Sequence, residues 1–234
     1  MIPLKDENPT RTFPSVVILL IAANVVAYLY QSLLPDSQQQ QFVYTYGAIP
    51  VLLLGKAKLS GLVPLAPIWL SVFTAMFFHG GLLHLGSNML YLWIFGNNVE
   101  DTLGRLRFLL FYLFCGTVAT MAHVFVTSAT GRDLLVPSLG ASGAISGVLG
   151  AYLLLFPRKR VRVLFTWFVT SVPAVVAVGV WFVFQLINGL GYLGGGTGGG
   201  VAYAAHIGGF VAGFATVKLW AAGRRQVSRS RTGS

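Results

Sequence analysis

The sequence predicts an all-α membrane protein with six transmembrane helices, on the basis of composition, apolar pattern and charge distribution. Of its 234 residues, 55% are hydrophobic and 9% are charged, whereas about a quarter of the residues in a soluble domain are charged. A bilayer is spanned by about 20 apolar residues. Six apolar stretches approach that length, near residues 15–34, 79–97, 104–128, 142–157, 161–187 and 201–221.

These stretches define the domain organisation. We expect a cytoplasmic N-terminal segment, one six-helix membrane domain and a basic, disordered cytoplasmic tail, at residues 1–14, 15–221 and 222–234. With the N-terminus inside, all but Lys56, Lys58 and Arg132 of the 16 lysines and arginines lie on the cytoplasmic side, as the positive-inside rule requires. We therefore expect a multi-pass protein of a prokaryotic cell membrane. Its oligomeric state is left open.

The net charge of +10 is explained by this orientation and by contact with anionic lipid heads rather than by nucleic acid. Membrane lipid is therefore one expected partner. If the protein is an enzyme, transmembrane proteins are its expected substrates.

The first stretch is longer than the apolar region of a signal peptide and is followed by no convincing cleavage site, so we expect a retained helix. The outside loop after it, residues 35–78, begins with polar residues and becomes apolar. Its segments 49–54 and 68–78 are too short to span, and we expect this loop to dip into the membrane. The glycine-rich outside loop 189–200 is flexible by composition, as a lid or as a simple tether.

Polar side chains within a membrane are costly and mark candidate functional sites. The predicted spans contain few of them: His84, Asn88, His123, Ser142, Ser146, Gln185 and His206. None of the spans contains a carboxylate, which argues against a proton-coupled transporter and against a carboxylate-bound metal. We expect no cofactor and no metal.

Helix geometry places three of these residues at a similar depth. Counted from the inner ends of their helices at 1.5 Å per residue, Ser142, His206 and His84 lie about 22, 18 and 20 Å above the inner boundary. Asn88, one turn deeper than His84, is within reach of the same layer. This layer is submerged below the outer surface of a core about 30 Å thick.

The fourth stretch, which begins at Ser142, is too short to cross the hydrocarbon, so its N-terminus must begin inside the membrane. The segment 136–141 before it is then non-helical backbone, tolerated only beside protein or a water-filled cavity. Ser142 next to the free N–H groups of a helix end can be a nucleophile with His206 as its base. It can also be a simple N-cap, and both readings stay open.

Glycine spacing suggests which helices are neighbours. Gly143 and Gly147 lie four residues apart, as do Gly209 and Gly213 after His206. Such faces let two membrane helices pack closely, so we expect the fourth and sixth helices to pair with Ser142 and His206 at the contact. Glycine packing without catalysis gives the same spacing.

The chain resembles the rhomboid family of intramembrane serine proteases over nearly the whole six-helix core. The resemblance rests on three motifs in the expected order: Gly140-Ala141-Ser142-Gly143, His79-Gly80-Gly81-Leu82-Leu83-His84-Leu85-Gly86-Ser87-Asn88, and Ala205-His206-Ile207-Gly208-Gly209. It implies that Ser142 is the nucleophile and His206 the base. His84, Asn88 and the Ser142 backbone N–H would form the oxyanion hole, and His79 would have a structural role or lie near the water cavity.

Two departures from the family pattern are Trp69-Leu70 in place of Trp-Arg, and Ser146 in place of an aromatic four residues after the nucleophile. The second leaves open what packs on the His206 ring and makes Ser146 a rival nucleophile. The expected activity is hydrolysis of peptide bonds in or next to transmembrane segments by a Ser–His dyad. The alternative is a non-proteolytic scaffold of the same fold that binds membrane helices. Gln185 can contact substrate or bind water.

Overall fold

A computed structural model describes residues 1–56, 67–195 and 202–223. The described chain is mainly helical, with two single 3₁₀ turns at Ile68–Leu70 and Ala75–Phe77 and one small sheet. Its elements in chain order are β1 Ile2–Asp6, α1 Ser15–Leu33, α2 Asp36–Tyr46, α3 Pro50–Leu53, α4 Ser71–Thr74, α5 Leu82–Leu103, α6 Arg105–Thr130, α7 Ser142–Leu155, β2 Arg160–Phe165, β3 Phe168–Pro173, α8 Ala174–Leu193 and α9 Tyr203–Ala221.

Three of the described helices, α1, α6 and α8, are long and apolar enough to cross a membrane. A fourth span results if α5 is joined to Ile68–Phe77, from which it is bent by 79°. Helix α7 is apolar but has only 14 residues. These apolar helices indicate a membrane protein, with three or four spans by these criteria within the described residues, and the six-span count remains a prediction.

The described residues are mainly helical, as expected, but β1, β2 and β3 form an antiparallel three-stranded sheet in that order, which the all-α prediction omitted. The predicted N-terminal segment supplies one strand, and the predicted span 161–187 is a hairpin followed by a helix that begins at Ala174. In β2, Val161 and Val163 are buried while Arg162 between them is exposed. This alternation of buried and exposed residues has the period of a strand. In the sequence it lies within an apolar run that resembles a transmembrane helix.

Two connections also differ from the predicted ones. Helix α5 continues past Asn97 to Leu103, and Gly104, with φ of 80°, separates it from α6. Helix α8 continues through Gly189 to Leu193, so the predicted glycine-rich loop begins later. Its residues 196–200 lie outside the described part, as do 57–66 of the first loop and 224–234 of the tail.

Polar contacts join one end of the helix bundle to the N-terminal segment. The buried Glu100 carboxylate accepts the N–H groups of Val16 and Val17 at the start of α1, at 3.0 and 2.8 Å. An anion there satisfies free donors and matches the helix dipole. Asp6 accepts hydrogen bonds from Asn98 and Tyr152 at 2.6 and 3.0 Å, and burial raises the pKa of its carboxyl. The sheet is thus attached to the ends of α5 and α7.

Helix α7 lies at the centre of the fold and is buried from Gly143 to Tyr152. Its closest neighbour is α9, and glycines from both helices form the contact. A Cβ added at Gly209 would overlap the Gly143 carbonyl oxygen, and one at Gly213 would overlap the Gly147 carbonyl oxygen. The expected pairing of small-residue faces is therefore present in the structure, with backbone against backbone.

We predict that Gly213→Ala destabilises the protein by about 1–3 kcal/mol, because overpacking forces the two backbones apart. Thermal or denaturant unfolding in detergent measures this. The matched control is Gly179→Ala on α8, where an added Cβ has no neighbour within 4 Å. That change should be neutral or stabilising by up to about 1 kcal/mol, the helix propensity difference. Equal stability of the two variants would contradict the tight α7–α9 contact.

Candidate active site

The loop before α7 is held in an extended, non-helical path by neighbouring backbone. Ser138 and Ala48 exchange two backbone hydrogen bonds of 2.9 and 3.0 Å, and the Gly140 N–H donates to the Ala75 carbonyl at 2.8 Å. The backbone of the expected non-helical segment is thus hydrogen-bonded to protein. Gly140 has φ of +120°, a conformation that side chains rarely adopt. This turn directs the chain into α7 at Ser142.

Ser142 and His206 are in direct contact. The Ser142 Oγ lies 2.8 Å from the His206 Nε2, within hydrogen-bond range for a nucleophile and its base. No side-chain hydrogen bond caps the N-terminus of α7 among the described residues, and Ala141 occupies the cap position. The Ser142 hydroxyl is therefore engaged with the histidine rather than with the helix end. The first N–H groups of α7 remain available to a ligand.

His84 and Asn88 line the same cavity as Ser142 and His206, with a volume of about 1470 Å³. The His84 ring lies against Gly140: a Cβ built there would stand 2.8 Å from the ring Cε1 and 3.8 Å from the Ser142 Oγ. The Asn88 side-chain amide donates one hydrogen bond of 3.0 Å to the His84 carbonyl, which leaves its second N–H for another acceptor.

His79 does not line this cavity, and Ser146 lines it but uses its hydroxyl within its own helix. His79 is fully buried, its ring centroid is 5.0 Å from that of His84, and its carbonyl accepts the Gln31 amide at 3.0 Å. The Ser146 hydroxyl is buried and donates to the Ser142 carbonyl at 2.6 Å. That bond occupies the hydroxyl within its own helix, so Ser146 is the weaker candidate nucleophile.

Two residues of α8 contact His206, and the sequence reasoning missed both contacts. The Gln185 Oε1 lies 2.9 Å from the His206 Nδ1, and the Trp181 ring centroid is 6.1 Å from that of His206. Trp181 therefore occupies the neighbourhood that the departure at Ser146 left open. The signal in the sequence was the spacing of four residues between Trp181 and Gln185, which places both side chains on one face of an apolar helix.

The arrangement provides a hydroxyl, an imidazole and several N–H donors around one open cavity. An imidazole that accepts the serine proton raises the nucleophilicity of the oxygen. Donors at a helix N-terminus stabilise negative charge that develops beside it. These groups together suit attack of Ser142 on a carbonyl carbon.

A family model described as Rhomboid domain matches residues 67–222. Among similar proteins, the mitochondrial Rhomboid protein 1 of Saccharomyces cerevisiae is 33% identical over 62% of this chain and 40% of its own length. Rhomboid protease GluP of Bacillus subtilis is 31% identical over 86% of this chain and 38% of its own. The mitochondrial presenilin-associated rhomboid-like protein of Homo sapiens is 37% identical over 43% of this chain and 25% of its own. The chain thus spans two fifths or less of these relatives.

We predict that Gly140→Ala moves the His84 ring, because the new Cβ would stand within 3 Å of two ring atoms. Spectra of protein labelled with ¹⁵N-histidine, which contains four histidines, measure the displacement as shifts of the His84 and His206 signals. Gly131→Ala is the control, since Gly131 also has positive φ, but none of the described residues lies within 4 Å of a Cβ added there. Each change should cost about 1–3 kcal/mol of backbone strain. Unchanged histidine signals in Gly140→Ala would contradict the close approach.

Proposed function

Because the chain belongs to the rhomboid family, we propose that it is an intramembrane serine endopeptidase in which Ser142 and His206 form the catalytic dyad. The observation that carries the proposal is the 2.8 Å contact between the Ser142 Oγ and the His206 Nε2 at the wall of an open cavity. A scaffold that only binds membrane helices needs neither group. The name of the related Bacillus subtilis protein, Rhomboid protease GluP, supports the same activity.

In the proposed reaction, His206 takes the proton of Ser142 while the serine oxygen attacks the carbonyl carbon of the scissile peptide bond. The oxyanion accepts hydrogen bonds from His84, Asn88 and the backbone N–H of Ser142. His206 then returns the proton to the leaving amine, which departs and leaves an acyl-enzyme. Water from the cavity hydrolyses this ester with His206 again as the base.

The proposed substrates are transmembrane segments of other proteins, cleaved in or next to the membrane near its outer face. The carbonyl groups of a substrate helix are occupied by i→i−4 hydrogen bonds, so the helix must unwind locally before Ser142 can attack. Glycine and other weak helix formers near the cleavage site lower the cost of unwinding by up to about 1 kcal/mol each.

The full topology is part of the proposal: residues 15–221 form six spans, with α7 and α9 among them and a first outside loop that dips into the membrane. Both termini lie in the cytoplasm of a prokaryotic cell, as the distribution of Lys and Arg favours. The relatives include a bacterial protease and proteins with mitochondrial names, so the family by itself selects no compartment.

Removal of either member of the dyad should abolish cleavage. Purified protein in detergent is incubated with a generic transmembrane substrate, and Ser142→Ala, His206→Ala and the double variant are compared. The double variant should be no worse than either single one, because the two groups act as a unit. Ser146→Ala is the control and should retain most activity. Comparable turnover in Ser142→Ala and the unchanged protein would contradict the nucleophile assignment and favour Ser146.

Asn88→Ala should lower kcat by about 10²–10³, the usual effect of losing one oxyanion donor, and His84→Ala should behave likewise. The matched control is Asn24→Ala on α1, because Asn24 is also buried and, among the described residues, its side chain bonds only to the Leu20 carbonyl of its own helix. Thermal unfolding separates catalysis from folding. If Asn88→Ala loses stability while specific activity is unchanged, Asn88 joins helices and does not bind the oxyanion.

A further inference from the structure

Helix α8 has an unusual pattern of burial. Three apolar residues near its N-terminal end, Ala174, Ala177 and Val178, are buried, and the remaining buried residue is Gln185. Large apolar side chains around Gln185, including Phe184 and Ile187, are more than half exposed. A buried polar side chain costs free energy unless it is hydrogen-bonded, and an apolar side chain at the same position would be buried at lower cost. The burial of Gln185 therefore points to a specific contact.

That contact is with the imidazole of His206. We propose that Gln185 is a positioning residue that holds His206 in the tautomer able to accept the Ser142 proton, a proposal that rests on the function proposed above. The Gln185 Oε1 lies 2.9 Å from Nδ1, and the Ser142 Oγ lies 2.8 Å from Nε2. Both ring nitrogens are thus engaged, one on each side of the ring.

The two contacts determine each other. A neutral imidazole carries one N–H and one lone pair, so the serine can donate to Nε2 only if the proton is on Nδ1. The group facing Nδ1 must then accept a hydrogen bond, which the amide oxygen of Gln185 does. A group without an acceptor at this position would leave Nδ1–H unsatisfied and favour the tautomer in which Nε2–H faces Ser142, which is inactive as a base.

Gln185 takes the place that a carboxylate has in a serine protease triad, but with a neutral acceptor. Among the described residues, no hydrogen bond or ion pair joins His206 to an Asp or Glu. An amide fixes the tautomer and the ring orientation as a carboxylate does. It carries no charge, so it stabilises the imidazolium of the transition state less, and it brings no anion into the membrane.

The test compares Gln185→Leu, Gln185→Glu and Asn188→Leu with the unchanged protein, using a transmembrane substrate. Gln185→Leu should lower kcat about 10²-fold with little change in KM, because general-base catalysis is weakened while binding is not. Gln185→Glu restores an acceptor and should keep most of the activity. Its acid limb in the pH–rate profile should move to higher pH, since the carboxylate stabilises the protonated ring.

Asn188→Leu is the matched control. Asn188 is a partly buried amide less than one turn after Gln185, and among the described residues its side chain bonds to the Phe184 carbonyl of its own helix alone. It should retain full activity. Wild-type turnover in Gln185→Leu, or a pH–rate profile that does not move in Gln185→Glu, would overturn the positioning role while leaving the dyad intact. If one of these outcomes overturns the positioning role and Ser142→Ala still loses cleavage, the proposed function itself holds.

A second measurement is independent of turnover. In ¹⁵N-histidine spectra, the signals of His206 are assigned by their loss in His206→Ala, and the chemical shifts of its two nitrogens report which one is protonated. The expected result is protonated Nδ1 in the unchanged protein and a mixture of tautomers in Gln185→Leu. The same tautomer in both proteins would overturn the proposal, even if the chain cleaved no substrate. If Gln185→Leu fails to fold, the pH–rate profile of Gln185→Glu decides.

Discussion

The contact between the backbones of α7 and α9 is the constraint on which the site depends. Gly209 and Gly213 present no side chain to α7, so the carbonyl oxygens of Gly143 and Gly147 approach them directly. Ser142 and His206 lie on these same two helices, at the end of the contact. Their separation of 2.8 Å is therefore set by helix packing, because no flexible loop intervenes between each residue and the interface. Lipid provides no hydrophobic driving force for helix association, so the dispersion energy of such close packing stabilises the helix pair.

Ser142, His206, His84 and Asn88 line one cavity, and the sequence indicated this grouping through the glycine spacing of α7 and α9 and through the motifs that resemble the rhomboid family. Their common depth in the membrane stays a prediction. The contacts of Gln185 and Trp181 with His206 could not be predicted, since they depend on how α8 is rotated and tilted. A single polar residue in an apolar helix can be recognised in the sequence, but the sequence does not show which residue it contacts.

The sheet was missed for a different physical reason. Its first strand pairs with residues more than 150 positions later, as Ile2 does with Leu164, and no local pattern encodes such a pairing. The run from Val161 onward is apolar enough to resemble a span, so composition outweighed the strand period. Hydrogen bonds of Asp6 with Asn98 and Tyr152 then attach this sheet to α5 and α7. The end of the fold that contains the sheet is thus held by polar contacts, while the C-terminal half of α8 has mainly apolar, exposed side chains.

The uneven burial of α8 means that the two ends of this helix are held differently. Strand β3 leads directly into Ala174, and Ala174, Ala177 and Val178 are buried near that end. The helix has 20 residues and is about 30 Å long, so a tilt of about 10° about its N-terminal end would displace its C-terminal end by about 5 Å. Gln185 and Trp181 would move with the helix, away from His206. The hydrogen bond at the His206 Nδ1 is therefore sensitive to the tilt of α8.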